Sequence, residues 1–284
     1  MRWVAGRYTL LNTAPDGDSL RFIPDHPKQL QIEEPGLRQH TDGGITLRLE
    51  GIDALETHYL ASGGIGVLRQ CPLWADRSAQ SLLNFLGFNH VHRRSDERVI
   101  HCTPTATHGA IALHRQDRFG RAVCFAFRGQ FHLPRTAQLK LSVEIIKSSA
   151  NYYQLQQGMA YPTFYQDNSE VMIDTLRDCA RRAQQRARGF WPHDSTHHGF
   201  VLHDLQALTH AVILPKLYRR LVDHVSGNGG QLSLAGFMDS LRARVLLVRL
   251  HPQKMLVDFA ELMEVQQQRL RLLVAPDSIL FAED

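Results

Sequence analysis

Between Gly44 and Tyr59 the chain reads GITLRLEGIDALETHY, and the change of pattern inside it limits what can be built there. Ile45, Leu47 and Leu49 alternate with Thr46, Arg48 and Glu50, the period of a strand that buries one face. The alternation stops at Gly51, and Asp53 and Glu56 follow three residues apart. A strand therefore carries an arginine on its polar face and hands over to a turn holding two carboxylates. Charge at a strand end is ordinary for a solvated face. Its meaning depends on what the rest of the chain supplies.

The surrounding pattern is that of short strands followed by helices. RYTLLNT, SLRFIP and ITLRLEG read as strands separated by PDGD and by the turn at Thr41–Gly44. PLWADRSAQSLLNFLGF has helical spacing and a proline start at Pro72. ERVIHC and GAIALHRQDRFGRAVCFAFRG return to strand, with a hairpin around Asp117–Gly120. SSANYYQLQQG reads as a short helix closed by Gly158, and SEVMIDTLRDCARRAQQRARGFW as a longer one, capped by Ser169 and stopped by Gly189. PHDSTHHG (192–199) breaks the pattern and marks a boundary between a 1–192 domain and a 199–284 domain. Beyond it the spacing predicts helices over 201–225, 233–244 and 258–274, with the apolar run VLLVRL between the last two. The C-terminal part is thus expected to be mainly helical.

Composition excludes several classes. At 284 residues, with 43% hydrophobic and 21% charged residues, the chain can bury a large core. No run approaches 18 apolar residues, so no membrane helix is expected. The N-terminus lacks the apolar stretch of a secretory peptide, and a cytoplasmic location is expected. Cys71, Cys102, Cys124 and Cys179 have no CxxC spacing, and His193, His197, His198 and His203 read as solvated linker residues rather than zinc ligands. ASGGIG (61–66) lacks the spacing of a phosphate-cradling loop. A net charge of +4 and a pI near 9.0 suit an anionic partner without demanding one.

Two distant turns supply partners for Asp53 and Glu56. DGDS places Asp16 and Asp18 where a strand opens, and DRFGR places Arg121 after a glycine; Asp16 itself reads as a turn residue. A hard cation such as Ca²⁺ takes oxygen ligands, and paired guanidinium groups fit phosphate oxygens. Cation, carboxylate base and arginine pair together are suited to displacement at phosphorus.

DGDS, LRLEGIDALET and DRFGR, in that order and with a helix between the second and third, resemble the three signature segments of the staphylococcal nuclease (thermonuclease) family. The likeness continues through YYQLQQGMAYPTFYQD and RARGFWP and covers about residues 7–192. It implies an α+β fold: an OB-type five-stranded barrel with three helices, a shape that favours oligonucleotide binding. It further implies Ca²⁺-dependent hydrolysis of DNA or RNA phosphodiesters. On that resemblance Asp18, Asp53 and the Ala54 carbonyl hold the calcium, Glu56 orients or deprotonates water, and Arg48 and Arg121 clamp the phosphate. Tyr165 falls, after a one-residue gap, where the family has a nucleotide-contacting tyrosine. The family's proline two residues after Asp53 is Leu55 here, which predicts a looser loop. The other reading is a nucleic-acid-binding or protein-interaction module that does not cut. Residues 199–284 lie outside the resemblance. Their apolar stripes, Leu202 to Leu221 and Phe259 to Leu273, predict a symmetric homodimer interface, and an unidentified protein partner is the other expectation for them.

Overall fold

The computed structural model describes residues 1–61, 66–131, 140–253 and 255–282; most of the glycine-rich loop 61–66 lies outside them. Five strands close a barrel in the order β1-β2-β3-β5-β4: β1 (Arg2–Thr9), β2 (Ser19–Pro24), β3 (Ile45–Leu49), β4 (Ala106–Gln116) and β5 (Ala122–Arg128). Neighbours are antiparallel except β3 and β5, which run parallel with Leu47 opposite Ala122. The alternation in β3 does what its sequence predicts: Ile45, Leu47 and Leu49 are buried, and Arg48 sits half-buried on the other face. Tyr8 crosses the core and its hydroxyl donates to the Ala110 and Phe127 carbonyls, each at 3.0 Å.

Against the barrel pack α1 (Pro72–Leu86), α2 (Ala150–Gln156) and α3 (Glu170–Gln185), and further short helices at Pro27–Glu33 and Val143–Lys147 add Leu30 and Ile146 to the same core. Ser149 and Ser169 cap α2 and α3 by accepting from Tyr152 and Met172 N–H. α3 stops at Gln185, before the expected Gly189, because Ala187 already turns to φ 51°. Asn151 of α2 closes the gap where β3 and β5 diverge. Its side chain donates to the Glu50 and Cys124 carbonyls (2.8 and 3.0 Å) and accepts from Ala126 N–H (3.1 Å). Backbone groups inside the fold thereby find partners that a parallel strand end would otherwise lack.

The C-terminal part differs from expectation: it is mixed α and β rather than mainly helical. The helix expected over 201–225 is split. A short helix covers Leu205–His210, and α4 (Pro215–Gly227) begins anew, since Pro215 lacks an N–H and forces Leu214 into an extended conformation. The expected 233–244 helix shortens to α5 (Phe237–Ala243). No α-helix forms over 258–274. A 3₁₀ turn at Phe259–Leu262 leads into a hairpin of Met263–Gln266 and Arg269–Leu272, which turns at Gln267 with φ 56°. The reason is visible in Arg269-Leu270-Arg271-Leu272, where exposure alternates with period two, the signature of a strand.

Most of the apolar stripes are covered within the chain, while Leu205 and Leu273 stay exposed. Leu202, Leu208, Ile213, Leu217 and Leu221 are buried, as are Phe259, Leu262 and Leu270. They form a second core that also takes in Leu55, Trp74, Tyr161 and Phe190 from the first 192 residues. Strand Phe164–Tyr165 even pairs in parallel with Ile279–Phe281. Much of the apolar surface of these stripes is therefore covered by the chain itself. No helix among the described residues is long and apolar enough to cross a membrane.

Candidate active site

Asp18 and Arg48 face each other because β2 and β3 pair with Ser19 opposite Arg48. Gly17 lets the preceding turn lie flat against α1: a Cβ there would come within 2.0 Å of Ser78 Oγ and 2.6 Å of the Ala54 Cβ. Gln154 of α2 pins the turn by donating to the Gly17 carbonyl at 2.8 Å. After β3 the chain reverses at Gly51 (φ 77°), and Ile52–Asp53 pairs with Tyr161–Pro162. Asp53 is thus placed by backbone pairing, beside the end of the strand that carries Arg48.

The side chains then interlock. Arg48 pairs with Asp18 Oδ2 and, through Nη2, with Asp53 Oδ1 at 2.7 Å. Ala54 N–H donates to Asp18 Oδ2 at 2.6 Å, and Ser19 Oγ donates to Asp18 Oδ1 at 3.0 Å. Asp16 is the turn residue its sequence suggested: its Oδ1 accepts from the N–H groups of Asp18 and Ser19. Asp18, Arg48, Asp53, Ala54, Glu56, Arg121 and Tyr165 all line one cleft of about 430 Å³.

Arg121 lines it from the hairpin, folded back onto Asp117, with its Nε 2.7 Å from Asp117 Oδ2. It touches none of the three carboxylates. Phe119, 60% exposed, stands at the same lip beneath the Arg118 and Arg121 guanidinium groups. The Tyr165 ring lies under Arg115 (5.2 Å) and Lys216 (5.0 Å). Leu55, where a looser loop was expected, is buried in the second core, so packing restrains the loop in place of a fixed φ.

One residue of the cleft was not singled out in the sequence. Arg219, on α4, bridges Asp53 and Glu56: Nη2 lies 2.8 Å from Asp53 Oδ2, Nη1 3.4 Å from Asp53 Oδ1, and Nη1 also pairs with Glu56 Oε1. A second tie runs through buried Gln70, whose Oε1 accepts from Glu56 N–H (3.1 Å) while its Nε2 donates to the Ile213 carbonyl (2.8 Å). The C-terminal part therefore helps to place Glu56. Neither contact has a sequence signal, since each joins segments more than 140 residues apart.

The environments of Asp53 and Glu56 diverge. Burial works to raise the Asp53 carboxyl, but Arg219 and Arg48 outweigh it and hold the group below the ordinary carboxylate range. Burial also raises Glu56, and there it prevails over Arg219, helped by the neighbouring Asp53 charge. One carboxylate is kept ionised and the other made more basic.

The donor set fits a hard cation. Asp18, Asp53 and the Ala54 carbonyl offer only oxygen, and the described residues of the cleft include no cysteine or histidine. A separate group, Glu50, His114 and Asp167, brings one ligand atom each within 4.8 Å of one another. It is balanced internally: His114 Nδ1 lies 2.7 Å from Glu50 Oε1, Asn168 donates to the same oxygen, and Arg115 Nε lies 3.0 Å from Asp167. The hydrogen bond to Glu50 raises the His114 pKa above its ordinary 6.5, against the effect of burial. Stability from a raised pKa is fully present below the unfolded value and is lost as pH climbs through the folded one. The urea midpoint should fall as pH rises above about 6.5, and His114→Gln should flatten that slope. An unchanged slope in the variant would assign the pH dependence elsewhere.

No protein-family model matches the chain, and no curated protein matches it. The fold and site define an α+β protein whose closed five-stranded barrel carries a cleft in which carboxylates and arginines are interleaved.

Proposed function

We propose that the chain is a Ca²⁺-dependent phosphodiesterase acting on nucleic acid, as its resemblance to the staphylococcal nuclease family implies. The observation that carries this reading is the convergence of Asp18, Arg48, Asp53, Glu56 and Arg121, drawn from three separate stretches of the chain, on one cleft. Asp18, Asp53 and the Ala54 carbonyl would hold the ion, whose charge would draw electron density from the phosphate's non-bridging oxygens. Glu56, with its raised basicity, accepts the proton of the attacking water at a carboxylate oxygen. Arg48 and Arg121 bind the non-bridging oxygens, Arg121 by exchanging Asp117 for phosphate. Phe119, exposed at the lip of the cleft, offers ring surface on which a base can stack.

The test is incubation of the purified chain with single-stranded DNA and with RNA, in CaCl₂, MgCl₂ or EDTA. Cleavage should be fastest in Ca²⁺ and weaker in Mg²⁺, which holds its water shell more firmly. It should vanish in EDTA. Binding without cleavage under every condition would instead favour a non-catalytic nucleic-acid module.

A further inference from the structure

Arg219 stands in the wall between two spaces. On one side is the cleft with Asp53 and Glu56; on the other is a cavity of about 200 Å³ that Arg219 also lines. Arg118, Lys216, Arg220 and Arg244 share that second cavity with it, against a single carboxylate, Asp223. Asp223 is already engaged: the Tyr59 hydroxyl donates to its Oδ1 at 2.9 Å and Arg244 Nη1 lies 3.3 Å from its Oδ2. The guanidinium groups of Arg118, Arg219 and Arg220 share this concavity, and an anion there lowers their mutual repulsion. Four of the five lining cations are arginines, whose forked donors match phosphate oxygens. The cavity borders the cleft directly, and Tyr59, Arg118 and Arg219 line both.

We propose that this cavity is a second phosphate subsite, taking a phosphate of a nucleic-acid strand beside the one in the cleft, and that Arg219 passes between Asp53–Glu56 and that phosphate. The proposal rests on the phosphodiesterase reading for its choice of ligand. In the structure Arg219 occupies both oxygens of Asp53 and one of Glu56, the atoms that the proposed chemistry needs for a cation and for a proton. It adds to Arg48 the positive charge that the buried Asp53 requires, and it pairs with Glu56. A strand phosphate in the neighbouring cavity offers the guanidinium another partner, and its departure uncovers Asp53 Oδ2 and Glu56 Oε1, while Arg48 stays on Asp53 Oδ1. α4 need not shift, since Leu217, Tyr218, Leu221 and Val225 anchor it in the core while the arginine stem rotates. Metal and strand would then bind with positive coupling, and the carboxylates stay closed until a strand is present.

Both arms of the test avoid turnover. Calcium affinity is measured by calorimetry, and binding of a fluorescein-labelled thymidine octanucleotide is followed by anisotropy in EDTA across a salt series. Arg219→Ala should bind Ca²⁺ at least ~5-fold more tightly than the wild type and the octanucleotide more weakly. Arg220→Ala should leave calcium affinity unchanged, weaken the octanucleotide, and lower the slope of log K against log salt by about 0.7. Arg186→Ala, which lines neither space, should change nothing. Arg219→Gln repeats the measurement if the alanine variant does not fold. Calcium affinity unaltered by loss of Arg219, or a salt slope unaltered by loss of Arg220, overturns the proposal. Failure to cut nucleic acid in calcium leaves these binding results standing and overturns only the phosphodiesterase reading.

Discussion

Glu56→Gln should lower kcat for nucleic-acid cleavage by ~10²–10⁴-fold, the usual contribution of a positioned general base. The substitution keeps the side chain's shape and its oxygen toward Arg219, so the fold and the loop's tie to Gln70 remain. It removes only the capacity to take a proton. Octanucleotide affinity in EDTA should hold or rise slightly, because one negative charge has left the cleft. The pH–rate profile supplies a second readout. Burial raises the Glu56 pKa above its ordinary 4.5, so the wild-type rate should climb through that raised value as the carboxylate ionises. In the variant this limb should be absent. A variant that cuts at near the wild-type rate, with the acid limb intact, would place the base elsewhere.

The second large effect is on stability. Arg48 is 15% exposed and lies between Asp18 and Asp53, whose side chains are 8% and 2% exposed. Arg48→Met keeps the stem that packs along β3 and deletes the guanidinium. Breaking one side of a buried ion pair costs ~3–5 kcal/mol, because the remaining charge is left in a poor solvent. The lower end is expected here, since Asp53 keeps Arg219 and Asp18 keeps the Ala54 N–H and Ser19 hydroxyl. Urea unfolding should show the loss as a lower midpoint at unchanged slope. Combining the change with Asp18→Asn should recover part of it, as the uncompensated charge is removed along with its partner. If the double variant loses the sum of the two single effects, the pair contributes no mutual stabilisation.

The two substitutions separate roles that the cleft combines. Glu56 should matter to turnover and little to folding; Arg48 should matter to both. Its place on a barrel strand explains the difference. A residue held by β3 and salt-bridged to two buried carboxylates is part of the framework, whereas Glu56 sits on a loop that hydrogen bonds at Gln70 hold in position.

Much of this was legible from neighbours in the chain. Strand β3 and the face on which Arg48 lies follow from a period of two, because successive side chains of a strand must point opposite ways. The α1 start at Pro72, the serine caps of α2 and α3 and the hairpin at Asp117–Gly120 follow equally from local backbone chemistry. Even the gathering of Asp18, Arg48, Asp53, Glu56 and Arg121 was anticipated, although by the order of three motifs rather than by anything in their spacing. What local pattern left undecided is what only packing resolves. The run from Asp258 to Val274 fits a helical stripe as well as a strand, and the strand prevails because Leu270 and Leu272 bury together while Phe200–Val201 pairs alongside. Arg219 reads as one more polar residue on an amphipathic helix. It reaches Asp53 and Glu56 only because α4 is pressed against the loop between them by a core that joins Leu55, Trp74 and Tyr161 to the C-terminal part. A local pattern determines which face of an element is apolar; which distant surface that face meets, and hence which charge arrives beside which, depends on the packing of the whole.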